Sequence, residues 1–126
     1  MDIKENLKYT KDHEWVKLEG NIATVGVTDF AQSELGDIVY VEVDTIDETL
    51  NKDEVFGTVE AVKTVSDLFL PMSGKIVEFN ESLSDSPESI NDSPYDDGWI
   101  IKVEVSNPDE INQLLNNKDY SDLIGK

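Results

Sequence analysis

The stretch that decides the fold is residues 55–70, which read Val-Phe-Gly-Thr-Val-Glu-Ala-Val-Lys-Thr-Val-Ser-Asp-Leu-Phe-Leu. β-Branched and aromatic residues are frequent on both sides of Lys63, which predicts one strand over 55–62 and another over 65–70. Only Lys63 and Thr64 are left to turn the chain, although a two-residue hairpin loop usually prefers Asn-Gly or Asp-Gly. The sequence therefore predicts a β-hairpin with a lysine at its tip, and turn chemistry does not explain that lysine.

Lys63 itself allows two interpretations. A lysine in a turn is ordinarily a solvated surface residue. Here the neighbouring side chains are small or β-branched, so nothing bulky would shield the ammonium group. Glu60 and Asp67 lie nearby in sequence, but on predicted strands, so neither is placed for a helical ion pair with the lysine. The pattern favours an amine that is presented to another protein.

The composition restricts the kinds of site that this chain can form. Its 126 residues predict a single domain over residues 1–126, large enough to bury roughly two-thirds of the unfolded chain's surface. Cysteine is absent and His13 is the one histidine, which excludes disulfides and thiolate ligands and argues against a metal site. Since no Gly-x-Ser-x-Gly sequence marks a nucleophile, the chain is predicted not to be an enzyme, and His13 is expected to be a structural hydrogen-bonding residue.

The net charge of −18 disfavours nucleic acid and anionic membranes as partners, because both bind Lys and Arg. The N-terminal residues contain no apolar signal region, and no apolar run approaches the length that spans a membrane. The sequence therefore predicts a soluble cytoplasmic protein of bacterial type. The acidity either steers the protein toward basic patches on partners or serves solubility alone, and composition leaves both open.

The rest of the chain is predicted to be mainly β. Further strands are predicted over 7–18, 22–27, 37–43, 75–79 and 100–105. Residues 44–53 are expected to be a polar connection rich in acids, and the Ser-, Asp- and Pro-rich residues 81–94 are expected to be a surface loop.

Two helices are predicted from capping signals. Thr28 and Gly36 are expected to cap a short helix over 28–35, with the glycine in the left-handed conformation. A C-terminal helix is predicted to follow an Asn107 cap, with Pro108 at its first position and one more helical turn over 119–124.

Residues 59–67, Val-Glu-Ala-Val-Lys-Thr-Val-Ser-Asp, resemble the lipoate-attachment segment of the H protein of the glycine cleavage system. Further stretches resemble that family in the same order and extend over nearly the whole chain. They are residues 9–15, 26–32, 35–41, 71–77 and 94–100.

A weak internal similarity bears on the fold. Residues 38–43 leading to 55–62 resemble residues 75–79 leading to 99–105, since each pair joins a short strand to a second strand through an acidic connection. Two such halves meeting at Lys63 would form a flattened β-sandwich with approximate twofold symmetry. By analogy with lipoyl carriers, the expected fold is a barrel-sandwich hybrid of lipoyl-domain type with a short helix near residues 28–35 and a C-terminal helix.

The resemblance implies that Lys63 carries one lipoic acid as N6-lipoyllysine and that the protein is a monomeric, non-catalytic carrier. The lipoyl group would take the aminomethyl group from the pyridoxal-phosphate glycine decarboxylase (P protein) to the tetrahydrofolate-dependent aminomethyltransferase (T protein). Dihydrolipoyl dehydrogenase (L protein) would reoxidise the lipoyl group. A lipoate–protein ligase or octanoyl and lipoyl transferases would attach that group to Lys63. The alternative within the family is a lipoyl or octanoyl donor in a relay to other carrier domains.

The resemblance also implies a cleft that holds the loaded arm. Glu14 and Asp67 fall in its polar lining, and Asp12 and Glu34 extend that lining at positions that vary in character within the family. The competing interpretation is that these acids are ordinary surface carboxylates.

Glu60 is expected to be recognised by the enzymes that modify Lys63. It is charged, lies near the tip and alternates with apolar neighbours, so it should face solvent and contribute little to folding.

Two related carriers fit the attachment segment less well. A biotin carrier usually has methionines beside its lysine, where this chain has Val62 and Thr64. A lipoyl domain of a 2-oxoacid dehydrogenase usually has aspartate immediately before the lysine, where Val62 stands here.

Overall fold

The computed structural model describes residues 3–126. Within that range the strands are β1 Lys8–Tyr9, β2 Glu14–Glu19, β3 Ile22–Val27, β4 Ile38–Glu42, β5 Thr49–Leu50, β6 Val55–Ala61, β7 Val65–Phe69, β8 Gly74–Phe79 and β9 Ile101–Val105. The helices are α1 Asp29–Leu35, α2 Ser82–Asp85, α3 Ser89–Asp92, a 3₁₀ helix Pro108–Gln113 and α4 Asn117–Ile124. None of the helices in this range is long and apolar enough to cross a membrane.

The strands form two antiparallel sheets, which together make an unclosed sandwich. The larger sheet has the order β1-β2-β3-β9-β8-β5, and the smaller has the order β4-β6-β7. The two strand pairs with internal similarity, β4 with β6 and β8 with β9, each contain a register shift, between Ile38 and Tyr40 and between Ile76 and Glu78. The predicted mainly β sandwich is therefore confirmed.

Apolar side chains from both sheets form the main core, and a second cluster fixes the C-terminal helix. Phe56 of β6 and Ile76 of β8 are fully buried in the main core. The second cluster contains Trp15, Tyr9 and Tyr120, and the two tyrosine rings stack with their centroids 4.7 Å apart. Stacking of this kind holds α4 against β1.

The β6–β7 hairpin forms as predicted, with each strand ending one residue earlier than expected. Its ladder closes with Glu60 opposite Val65 and β6 ends at Ala61, so residues 62–64 form the loop rather than Lys63 and Thr64 alone. Positive φ angles occur at none of residues 61–64. The longer loop explains why the chain can turn here without Asn-Gly.

The first helix is capped largely as predicted. The Thr28 hydroxyl accepts a hydrogen bond from the Ala31 N–H at 3.1 Å. Gly36 has φ 80° but ψ −157°, so it lies outside the predicted left-handed helical region, in a region that is essentially restricted to glycine. At the C-terminus Asn107 and Pro108 begin a 3₁₀ helix, and α4 is a separate helix with its own cap at Asn116.

Three predictions about strands and connections are wrong. The opening strand over 7–18 is divided into β1 and β2, because residues 10–13 turn the chain and His13 adopts φ 68°. The connection over 44–53 contains β5, which pairs with β8. Residues 81–94 form α2 and α3 rather than a surface loop, because Leu83 and Ile90 are buried in the core.

Candidate functional site

Lys63 lies at the tip of the β6–β7 hairpin with its side chain exposed. The Ala61 N–H donates to the Thr64 carbonyl oxygen at 2.7 Å, and the Val62 N–H donates to the Asp37 carbonyl oxygen at 3.0 Å. Within residues 3–126, no ion pair involves Lys63. The amine therefore extends from an ordered loop and is not neutralised by a neighbouring carboxylate.

The outer face of the smaller sheet beside this tip combines apolar side chains with carboxylates. Tyr40, Glu60 and Val65 form one cross-strand row, in which Tyr40 is 50% and Val65 62% exposed. The next row places Glu42 and Asp67 on either side of β6, and both are exposed. Cross-strand neighbours share a face of the sheet, so Glu60 and Asp67 both face solvent near the lysine.

Glu14 is buried, so it is not an ordinary surface carboxylate. Its side chain is 2% exposed. Its oxygens accept hydrogen bonds from the Thr10 hydroxyl at 2.9 Å and from the Phe69 N–H at 3.0 Å. Burial raises the pKa of Glu14 to about 8, even though these hydrogen bonds favour the charged form and oppose the rise. The carboxyl group therefore titrates close to neutral pH.

The contact with Phe69 places Glu14 at the open edge of the smaller sheet. β7 is an edge strand, and the Leu70 N–H donates inward to the Glu54 carbonyl oxygen at 2.8 Å. Because successive N–H groups alternate in direction along a strand, the Phe69 N–H points away from β6. At about 3.3 Å per residue, this point lies about 13 Å along the strand from Val65.

Asp12 and Glu34 are exposed and act electrostatically on His13. Burial lowers the pKa of His13, and the two carboxylates counteract this effect. The His13 Nδ1 lies 2.9 Å from the Tyr120 hydroxyl, which agrees with the structural role expected for this histidine. Asp12 also contributes to the raised pKa of Glu14. The structure thus brings both carboxylates near the beginning of β2.

The sequence did not identify Thr10 as a site residue. Besides donating to Glu14, its hydroxyl accepts from the N–H groups of Asp12 and Glu14, each at 3.2 Å. A hydroxyl followed closely by Asp and His is a turn signal, and it could have indicated the interruption of the predicted opening strand. Thr10 therefore both shapes the turn and orients the buried carboxyl group of Glu14.

Cavities provide a weaker guide to the site. One of about 240 Å³ lies beside the turn between β1 and β2, with Thr10, Asp12 and Asp53 among its lining residues. A larger one of about 560 Å³, which Phe79 and Trp99 help to line, contains none of the predicted site residues. No group of three or more His, Asp or Glu residues within 3–126 could hold a metal ion. The chemistry of the site therefore centres on the exposed amine and the buried carboxyl group.

Comparison with known proteins agrees with the resemblance noted in the sequence. A family model described as glycine cleavage H-protein matches residues 7–126. The crystal structure of a glycine cleavage system H protein from Mycobacterium marinum is similar, with a TM-score of 0.90 and 37% sequence identity. The match covers 98% of this chain and 100% of that chain.

Proposed function

Because the chain belongs to the glycine cleavage H-protein family, we propose that Lys63 carries lipoic acid in amide linkage and that residues 1–126 act as one carrier domain. Members of this family are lipoyl carriers in glycine cleavage and are not themselves catalysts. The observation that carries the proposal is an exposed lysine, free of ion pairs within residues 3–126, at a hairpin tip in the segment that resembles the attachment site.

The residues around the tip fit a lipoyl group. Val62 and Val65 are 76% and 62% exposed, so they offer apolar surface to an aliphatic chain. Acylation removes the charge of Lys63, which would otherwise oppose such contact. When bound, the group supplies a sulfur that accepts the aminomethyl unit from glycine and is afterwards reoxidised.

We propose that the arm, which is the lipoylated side chain of Lys63, lies along the edge of β7. About twelve bonds separate the lysine Cα from the nearer sulfur, which gives a reach of about 14 Å. The reach starts at Lys63, two residues before β7, so at about 3.3 Å per residue Phe69, where Glu14 is bound, lies up to about 20 Å away along the chain. An arm extended from Lys63 along β7 would therefore reach Asp67 and point toward Glu14.

Glu14 and Asp67 would hold the positively charged amine at the end of the loaded arm. Thr10 and Phe69 orient the Glu14 carboxyl group, and each of its oxygens retains a further lone pair. An approaching ammonium group lowers the pKa of a carboxyl group, so docking would release the Glu14 proton. The exposed Asp67 would contribute less, because solvent screens its charge.

The proposed enzymatic partners are the P protein, the T protein, the L protein, and the ligase or transferases that modify Lys63. A net charge of −18 would favour encounters with any basic surface that these partners present. The monomeric state, the cytoplasmic location and the relay role stay predictions.

Peptide mapping tests the proposed attachment site. After the apo protein is incubated with lipoate–protein ligase, lipoate and ATP, lipoate is expected on Lys63 alone. Lys52 and Lys75 are internal controls, because the Lys52 Nζ lies 3.4 Å from an Asp53 oxygen and Lys75 lies within β8 rather than at a turn. Modification of either control in place of Lys63 would overturn the proposal.

Glu60→Ala is expected to slow lipoylation without affecting folding. Glu60 is exposed and lies between Tyr40 and Val65, so its loss should change the free energy of unfolding by no more than about 0.5 kcal/mol. Loss of one exposed charge contact should lower kcat/KM of the ligase up to about five-fold. Glu104→Ala, at an exposed position of β9, is the matched control and should behave like wild type. A large loss of stability with normal lipoylation kinetics would contradict this role.

A further inference from the structure

The side chain of Lys63 lies against the residue that ends α1. A methyl group at Gly36 would be 3.5 Å from the Lys63 Cε and 3.9 Å from its Nζ. Gly36 also adopts φ 80° and ψ −157°, which other residues rarely tolerate. Glycine is therefore required here by the backbone conformation, and the lysine side chain lies within van der Waals distance of this position.

Asn91 of α3 fixes the backbone beneath the lysine. Its Nδ2 donates to the Gly36 carbonyl oxygen at 2.8 Å and to the Gln32 Oε1 at 3.1 Å. Its Oδ1 accepts from the Ile38 N–H at 2.9 Å. One side chain thus connects the end of α1 to the beginning of β4.

The hairpin tip is attached to this same segment, residues 36–38, which we call the tip seat. The Val62 N–H donates to the Asp37 carbonyl oxygen at 3.0 Å, and Ile38 is the β4 partner of Ala61. We propose that Asn91 is a positioning residue for acylation of Lys63, because it holds the tip seat and so fixes the hairpin tip. This inference rests on the proposed attachment of lipoate.

The acylation step explains why position matters. The neutral Lys63 amine must attack the activated carboxyl carbon of lipoyl adenylate, forming the amide bond while AMP leaves and the amine loses a proton. Catalysis of such transfers depends strongly on how the reacting atoms are placed. If the tip samples several conformations, its apparent affinity for the ligase falls in proportion to the fraction that is competent.

The loop has little else to order it. At the hairpin tip, a backbone hydrogen bond joins the Ala61 N–H to the Thr64 carbonyl oxygen, and Val62 is 76% exposed. The tip seat supplies the additional bond to Val62 and the surface beneath Lys63. Asn91 thus acts on Lys63 indirectly, through the backbone of residues 36–38, which lies outside the β6–β7 hairpin.

Asn91→Leu tests this role with two measurements on the apo protein. Hydrogen exchange of the Val62 and Ile38 amides should become faster, and kcat/KM for lipoylation by the ligase with lipoate and ATP should fall about ten-fold, mainly through a higher KM. Asn91→Asp is the milder variant, because it keeps the acceptor for Ile38 but places an oxygen against the Gly36 carbonyl.

The matched control is Asn80, whose Nδ2 also donates to two carbonyl oxygens, those of Asp97 at 2.9 Å and Trp99 at 2.8 Å. Asn80→Leu and Asn80→Asp should lower stability without changing Val62 exchange or the KM for lipoylation. Wild-type kinetics and exchange in both Asn91 variants would overturn the inference, and so would equal defects in the Asn80 variants. If wild-type protein accepts no lipoate on Lys63, the proposed function fails instead, whereas faster Val62 exchange in the Asn91 variants would still show that Asn91 holds the tip seat.

Discussion

Replacing Lys63 with Arg is expected to abolish lipoylation and to reduce glycine–bicarbonate exchange to the background of the unmodified protein. The substitution keeps the positive charge but replaces the amine with a guanidinium group, which does not form the stable amide. Since Lys63 is exposed and forms no ion pair within residues 3–126, the free energy of unfolding should change by no more than about 0.5 kcal/mol. Intact-mass spectrometry after treatment with the ligase, followed by the exchange assay with P protein, measures both effects.

Lys75→Arg is the control for this loss, because Lys75 is also exposed but lies on β8 in the other sheet. It should accept one lipoyl group and support exchange at the wild-type rate. Continued exchange by the Lys63 variant, at its unmodified mass, would show that the carrier role does not depend on this lysine.

The hairpin could be predicted because its signal is local. Two runs of β-branched and aromatic residues flank Lys63, and residues that are adjacent in sequence meet across a hairpin. The cap at Thr28 is local in the same way, since its hydroxyl accepts from an N–H three residues later. Features of this kind depend on only a few neighbouring residues, and the structure agrees with them.

The buried state of Glu14 could not be predicted, because it depends on residues that are distant in sequence. Its carboxyl group accepts from Phe69, which is brought near by the packing of β7 against the turn between β1 and β2. The tip seat was missed for the same reason, since Asn91 belongs to a polar segment that was expected to be a surface loop. Two apolar residues, Leu83 and Ile90, anchor that segment in the core. So few apolar residues in a polar stretch give too weak a periodic signal to indicate helices.

Replacing Glu14 with Gln and Asp67 with Asn is expected to weaken the hold on the loaded arm and to speed spontaneous release of ammonia and formaldehyde. A sheltered charge-assisted hydrogen bond contributes about 1.5–3 kcal/mol, whereas an exposed pair contributes about 0.2–1 kcal/mol. Because Glu14 is buried and Asp67 exposed, Glu14→Gln alone should speed release about ten-fold to a hundred-fold, and Asp67→Asn alone up to about five-fold. The measurement is release from protein loaded with P protein and glycine, in the absence of the transferase.

The pH dependence of the release rate distinguishes an effect of the Glu14 charge from an effect of local shape. While the arm is undocked, burial raises the pKa of Glu14 to about 8, and docking of the positively charged amine lowers that pKa. The ratio of the release rate of Glu14→Gln to that of wild type should therefore rise with increasing pH and level off above about pH 8. Taking the ratio at each pH removes the pH dependence of the release chemistry itself.

Thr10→Val is the structural control, because it removes the hydroxyl that donates to Glu14 but keeps the carboxyl group. If the charge of Glu14 holds the arm, Thr10→Val should release more slowly than Glu14→Gln at high pH, where the carboxyl group is ionised. Asp12→Asn and Glu34→Gln remove exposed carboxylates near His13, so their effects should be smaller than that of Glu14→Gln. Equal release from Glu14→Gln and wild type at every pH would show that the buried carboxyl group orders β7 without holding the arm. An equally large effect of Thr10→Val would instead assign the hold to the shape of the turn.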